Sequence, residues 1–224
     1  MKVVLCIPTV TRPYQQTLNA IEDSCALLTD AGIDHYMVTE VGCPYISGAR
    51  ATMLRKALDA KADVIVFIDH DLSWSPGDLL KLIQTDGDVV AGLYRFKKDE
   101  EHYMGVVDDD AGQVKVRDDG CIKATRVPAG FLKVTRQAVN RFMAAYPHLM
   151  YGEASAPSVD LFNHGAHKGA WWGEDYAFSR NWIDAGGEIW IFPGLDLTHH
   201  SASHAYPGNF HRFMMRQPGG SDAQ

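Results

Sequence analysis

Long apolar runs are missing from the sequence. No stretch approaches the ~20 apolar residues of a membrane-spanning helix, and the opening run Val3 to Ile7 stops at Pro8, too early for a secretory leader. Cysteine is scarce: Cys6, Cys25, Cys43 and Cys121 are the only four, with no C-x-x-C spacing. That pattern predicts reduced, mostly buried thiols and argues against a disulfide framework or a structural zinc site. A positive charge excess is also lacking. Lys and Arg number 21 against 28 Asp and Glu, a formal net charge of -7, which argues against an indiscriminate binder of nucleic acid or anionic membrane. Neither internal repeats nor low-complexity linkers break the chain. With 224 residues, 46% of them hydrophobic, the chain is large enough to bury a core. The expectation is one soluble, cytoplasmic domain over residues 1–217 with a loose tail over 218–224.

The apolar pattern predicts an alternation of strands and helices. Lys2 to Ile7 reads as a strand running into the turn-like Pro8 to Pro13. Leu18, Ile21, Cys25 and Leu28 recur at helical spacing, and Gly32 closes that helix before a strand at about Tyr36 to Val41. A second helix, Gly48 to Lys61, precedes Val64 to Ile68, an unbroken apolar run suited to a strand covered on both faces. Ser75 reads as the cap of a third helix, with Pro76 at its first position and Asp78 in its first turn. A strand at Val89 to Tyr94 follows, then shorter polar-alternating strands over Gly105 to Val127 with a hairpin around Asp109-Asp110-Ala111-Gly112. Thr135 caps a helix to about Ala145. Glu174 to Ala185 forms another, closed by Gly186-Gly187, and Glu188 to Phe192 is a last strand. The fold class expected is α/β: a doubly wound, mostly parallel central sheet flanked by helices, with a smaller antiparallel part in the second half.

Three clusters carry chemistry. Asp69-His70-Asp71 directly follows the buried run ending at Ile68, where open α/β sheets bind ligands. Two carboxylates one residue apart can share a hard cation with a phosphate ligand, or simply cap the next turn. Trp171-Trp172-Gly173-Glu174-Asp175-Tyr176 places two acids in the first turn of a helix. There they are dipole partners worth about 0.3 to 1 kcal/mol, or one of them is a general base. The third cluster is Thr198-His199-His200-Ser201-Ala202-Ser203-His204. His200 and His204 are four apart, but the acid of H-E-x-x-H is absent and Pro207 and Gly208 disfavour a helix, so zinc hydrolysis is not expected. One imidazole beside the Asp pair would shift preference from magnesium towards manganese. His164 and His167 read equally as surface residues or acceptor contacts.

Ile7-Pro8-Thr9 with Arg12, Ser47-Gly48-Ala49-Arg50, Phe67-Ile68-Asp69-His70-Asp71, Val127-Pro128-Ala129-Gly130-Phe131, Gly173-Glu174-Asp175 and Leu197-Thr198-His199 occur in that order along most of the chain. Together they resemble the GT-A nucleotide-sugar glycosyltransferases, especially small, phage-type, single-domain members close to family 2. The resemblance implies a GT-A (Rossmann-like) sheet and transfer of one sugar from a nucleotide-diphosphate sugar, a UDP-sugar foremost, with Mn2+ or Mg2+ as cofactor. By the same resemblance Pro8, Thr9 and Arg12 line the nucleotide pocket, Arg50 lies near the nucleotide or diphosphate, and Asp69 and His70 face the donor. Asp71 and His199, with Asp69, look like the metal ligands. Ala129 and Gly130 would floor the acceptor side, with Trp172, His200, His204 and Arg212 around it, and Asp175 looks like the base with Glu174 beside it. Neither a Q-x-x-R-W motif nor membrane helices follow, so a processive synthase is not implied. The location implied is the cytoplasm, that of the host if a phage encodes the chain.

The acceptor is less legible. From Gly120 to Gly152, Lys123, Arg126, Lys133, Arg136 and Arg141 occur without an acid, and from Leu197 to Met215 Arg212 and four histidines do likewise. These stretches read either as charge for the diphosphate plus solvated helix surface, or as a cationic face for an anionic acceptor. A hydroxymethylated base in DNA would suit such a face, with Tyr206, Phe210 and Phe213 for stacking and Arg212 and Arg216 for phosphate. A saccharide or small-molecule hydroxyl is the other acceptor class. Two rivals remain: a nucleotidyltransferase, for which no G-x-G-T-R-type loop is present, and a catalytically silent nucleotide-sugar binding module.

Overall fold

The apolar runs become the interior strands of an eight-stranded sheet in the computed structural model, which describes residues 1–110 and 113–216. The first half follows the expected alternation: β1 (Lys2–Thr9), α1 (Gln15–Asp30), β2 (Asp34–Val41), α2 (Ile46–Asp59) and β3 (Val64–Ile68). β1 pairs in parallel with both β2 and β3, and every residue of β3 is buried, as a strand covered on both faces requires. Next come β4 (Leu72–Trp74), α3 (Asp78–Gln84), β5 (Val89–Ala91), β6 (Val106–Val107), β7 (Asp109–Asp110), β8 (Gln113–Val114), β9 (Ile122–Arg126) and β10 (Phe131–Thr135). The chain continues through α4 (Arg136–Ala145), β11 (Met150–Glu153), β12 (Ala156–Val159), β13 (Gly165–His167), β14 (Ala170–Trp172) and α5 (Glu174–Asp184). It then forms β15 (Ile189–Ile191), β16 (Asp196–His200), β17 (Ala205–Asn209) and α6 (Phe210–Arg216).

The sheet order is β2-β1-β3-β10-β5-β15-β9-β6, and all strands but β10 and β9 run in one direction. This is the mixed, mostly parallel α/β sheet expected. Alternation along β1 splits the core between the two faces. Val4 and Cys6 join Met53, Leu54 and Ala57 of α2 and the aromatic group Phe142, Phe162, Phe178 and Trp182. Val3, Leu5 and Ile7 face Ile21 and Leu28 of α1 and Leu79 and Leu82 of α3. Smaller antiparallel sheets, β17-β16-β4, β11-β12 and β13-β14, lie outside it. Among the described residues no helix is long and apolar enough to cross a membrane.

Several elements differ from expectation, among them the hairpins β11-β12 and β13-β14, which local pattern did not announce. Ser75 does not cap α3. Ser75-Pro76-Gly77-Asp78 forms a turn in which Asp78 N–H donates to Ser75 O at 3.0 Å, with Gly77 at φ 88°. Pro then Gly at the two central positions is type II turn chemistry, and here it outcompetes the cap. β10, without a strand signal of its own, enters the sheet centre antiparallel between β3 and β5. β4, β16 and β17 form a sheet that local pattern did not announce. The hairpin at 109–114 forms as β7-β8, although its turn, 111–112, and the expected tail lie outside the described residues.

Candidate functional site

The carboxyl ends of β1, β3 and β5 converge on one polar site. Asp69, directly after β3, has both carboxylate oxygens engaged: Tyr94 Oη donates to Oδ2 at 3.0 Å and Arg50 Nη2 to Oδ1 at 2.9 Å. Its backbone N–H donates to Gly130 O at 2.8 Å. A Cβ at Gly130 would overlap both the Tyr94 hydroxyl and the Asp69 carboxylate, so only glycine lets the strand pass beneath Asp69. Gly130→Ala should therefore displace Asp69, destabilising the fold by about 1 to 3 kcal/mol. Urea unfolding checks this; an unchanged midpoint would refute the close approach.

Arg50, expected near the nucleotide or diphosphate, lies beside Asp69 at the end of β3. It is 3% exposed, and besides Asp69 it bonds Glu174 Oε1 through Nη1 at 2.7 Å. Burial alone would weaken its charge, but Asp69 and Glu174 outweigh that and bind its proton more tightly. Arg50 is thus a charge-compensated brace between the end of β3 and the first residue of α5.

The register of β16 on β4 sets His199 opposite Leu72, and His200 N–H donates to Asp71 O at 2.8 Å. His199 Nε2 consequently stands 3.6 Å from Asp71 Oδ1. His199 Nδ1 lies 2.8 Å from Arg95 O. A carbonyl can only accept, so Nδ1 carries a hydrogen and Nε2 is the ring nitrogen turned towards Asp71. An imidazole nitrogen and a carboxylate converging on one spot are two ligand groups for a cation, and the Lys97 ammonium already contacts Asp71 Oδ2. Burial pushes the Asp71 carboxyl up, but His199 and Lys97 outweigh it and hold it down at about 2. The donor set fits a divalent ion of the manganese or magnesium type that shares phosphate ligands. Among the described residues no group of three or more His, Cys, Asp or Glu is placed to hold a metal, so the protein offers this pair and Asp69 remains committed to Arg50 and Tyr94.

α5 starts behind Gly173 with Glu174 and Asp175 in its first turn. Glu174 is tied to Arg50, whereas among the described residues Asp175 Oδ1 accepts only the adjacent Tyr176 N–H, at 2.7 Å. Burial first, then the Glu174 charge, pushes the Asp175 carboxyl up to about 6. Two neighbouring acids are thereby separated into a paired anion and a carboxyl able to exchange a proton near neutrality.

The remaining expected residues divide. Thr9 ends β1 beside Pro8, buried, with its hydroxyl unpartnered. Arg12 lines a cleft of about 430 Å³ with Thr11, Tyr14 and Ala202. The backbone oxygen of His70 accepts from Tyr14 N–H and Thr17 Oγ1, both at 2.8 Å, so it anchors the loop after β1. Ala129 is buried beside Gly130. Trp172 lies beneath Arg126 and Arg180, whose Cζ atoms are 4.7 and 4.9 Å from its ring. His200 is buried and bonded to Ser73 Oγ at 2.8 Å, which makes it a sheet-packing residue rather than an acceptor contact. His204 is exposed across the β16-β17 turn, bonded to Ser203, and the hairpin rules out a helical His200/His204 zinc pair. Arg212 is exposed, 3.9 Å from Asp196.

The cationic face is not assembled from the first basic stretch. Lys123 pairs with Glu188, Lys133 is buried on Thr85 O, Arg136 donates to the carbonyls of Leu58 and Ala62, and Arg141 donates to those of Ala185 and Gly186. Phe210 is buried against Tyr103 and is no stacking platform. Conversely, Tyr94, Arg95 and Lys97 were missed. They follow β5 at the same end of the sheet as Asp69, a position that could have flagged them.

No protein-family model matches the sequence, and no curated protein matches it. Solved structures similar to the chain include a Drosophila beta-1,4-galactosyltransferase 7 mutant with manganese, UDP-Gal and xylobiose, at 15% identity and TM-score 0.47 over 85% of this chain. GalNAc-T7 with UDP, GalNAc and Mn2+ is similar at 12% identity and TM-score 0.45 over 89% of the chain. TarS 1-349 of S. aureus with UDP-GlcNAc is similar at 12% identity and TM-score 0.46 over 92%. The matches cover 64%, 44% and 58% of those chains respectively.

Proposed function

We propose that the protein is a metal-dependent glycosyltransferase that moves one sugar from a nucleotide-diphosphate sugar, a UDP-sugar foremost, to an acceptor hydroxyl with inversion. One observation carries this reading: the Asp69-Arg50-Glu174 brace ties the chain next to the Asp71 and His199 pair to the chain next to Asp175, a carboxyl with a raised pKa. Asp71 and His199 would hold Mn2+ or Mg2+, which when bound offsets the negative charge that builds on the departing diphosphate. Asp175 accepts the proton of the acceptor hydroxyl as its oxygen bonds the anomeric carbon and the bond to the diphosphate oxygen breaks. Pro8, Thr9 and Arg12 border the nucleotide, with Asp69 and His70 beside the donor. Arg50 acts through Asp69 and Glu174 and is a positioning residue. A saccharide or small-molecule hydroxyl is the acceptor class favoured: Lys133 is buried on Thr85 O, Lys123 pairs with Glu188, and Arg136 and Arg141 turn their guanidiniums to main-chain carbonyls, so these side chains are not free to grip phosphates.

A thermal-shift panel of nucleoside diphosphates with and without Mn2+ tests the reading. UDP with Mn2+ should raise Tm by several degrees, as a ligand well above its Kd does, and more than either alone. No shift with any nucleoside diphosphate would overturn it. Release of pyrophosphate instead of nucleoside diphosphate would indicate a nucleotidyltransferase, and binding without transfer or donor hydrolysis a silent binding module.

A further inference from the structure

Asp71 already has a cation. The Lys97 ammonium sits on its Oδ2 while His199 Nε2 faces the other oxygen at 3.6 Å. Lys97 belongs to the segment after β5, and the backbone of that segment is held without help from its side chain. Arg95 donates to the carbonyls of Lys98, Asp99 and Pro207, and Phe96 N–H donates to His102 O at 2.9 Å. The Lys97 side chain is 35% exposed, against 11% for Asp71 and 12% for His199. Two of the three groups are fixed in the wall, and the third is a flexible arm with room to leave. A divalent ion between Asp71 and His199 would lie within a few ångströms of that ammonium, and like charges so close repel strongly.

We propose that Lys97 is the exchangeable resident cation of this site: it neutralises Asp71 until a divalent ion binds between Asp71 and His199, and the ion must displace it. The proposal rests on the metal-dependent reading above. Lys97 thereby sets how much divalent ion the protein needs and keeps the buried carboxylate paired when there is none.

Mn2+ titration of the donor-free protein, followed by the loss of the free-ion paramagnetic resonance signal, tests this for wild type, Lys97→Gln, Lys97→Arg and Lys98→Gln. Lys98 is the control because its ammonium lies over Phe96, 5.6 Å from the ring centroid. Loss of a charge-assisted hydrogen bond that opposes the ion should tighten Mn2+ binding by about ten- to a hundredfold in Lys97→Gln. Lys97→Arg, which keeps a cation, and Lys98→Gln should stay near wild type. Equal or weaker binding by Lys97→Gln beside a binding wild type would overturn the exchange alone. Absence of Mn2+ binding in all four proteins, both donor-free and with UDP present, would overturn the metal reading and the exchange with it.

Discussion

Asp175→Asn should bind the nucleotide-sugar as wild type does and lose turnover by about 10²- to 10⁴-fold, the usual contribution of a positioned general base. The amide can still accept the Tyr176 N–H that Asp175 Oδ1 accepts at 2.7 Å, so the helix start is preserved while the proton acceptor is removed. The same group sets a pH limb. Because burial and Glu174 push the carboxyl up to about 6, it is protonated and idle below that pH. kcat/KM should therefore climb towards a plateau above about pH 6. Glu174→Gln removes the largest of the charge contributions that raise it and should move the limb to lower pH. Stability runs the other way. A carboxyl whose folded pKa is raised favours the fold at acid pH and loses that contribution as pH rises through about 6. Asp175→Asn should thus melt higher than wild type at neutral pH while being nearly inactive, since a charge held for chemistry strains the fold around it. Full turnover in the variant, or a rate flat across this range, would remove Asp175 from the proposed role.

Asp71→Ala should abolish the metal-dependent part of donor binding. Asp71 is the only carboxylate that His199 Nε2 faces within 4 Å among the described residues, and neither oxygen of Asp69 is free of Arg50 and Tyr94. Removing it leaves one imidazole, too little to hold Mn2+ in the absence of phosphate. Second-sphere changes around a metal already cost about 10- to 100-fold in affinity, so loss of a direct ligand should cost at least that. Calorimetry of UDP with and without Mn2+ checks this: wild type should show tighter UDP binding with the ion, and Asp71→Ala the same weak binding in both. Retention of the Mn2+ effect would place the ion elsewhere.

Features governed by near neighbours in sequence were readable in advance. The β3 run is one continuous apolar block and matches its expected limits, Val64–Ile68. Thr135 accepts from Ala138 N–H at 3.1 Å and caps α4 as its type and position predict. β10 was not readable, because Phe131 to Thr135 includes Lys133, whose charge masks a central strand. Only the fold shows that its amine reaches Thr85 O and that the strand fits between β3 and β5. The basic stretch left two readings open for the same reason: counting charges cannot show that Arg136 and Arg141 donate to main-chain carbonyls.

The sequence by itself determined the order of strands and helices in the first half, and with it that Asp69 and Asp71 follow a buried strand and Asp175 opens a helix. Those facts depend on periodicity and on chemistry a few residues wide. Tertiary structure alone decided which nitrogen of His199 faces Asp71, that Lys97 holds the same carboxylate, that Asp69 and Glu174 share Arg50, and hence which of the two neighbouring acids of α5 is salt-bridged. Each is set by strand register and burial between residues far apart in the chain, where a shift of one position would turn the side chain to the opposite face.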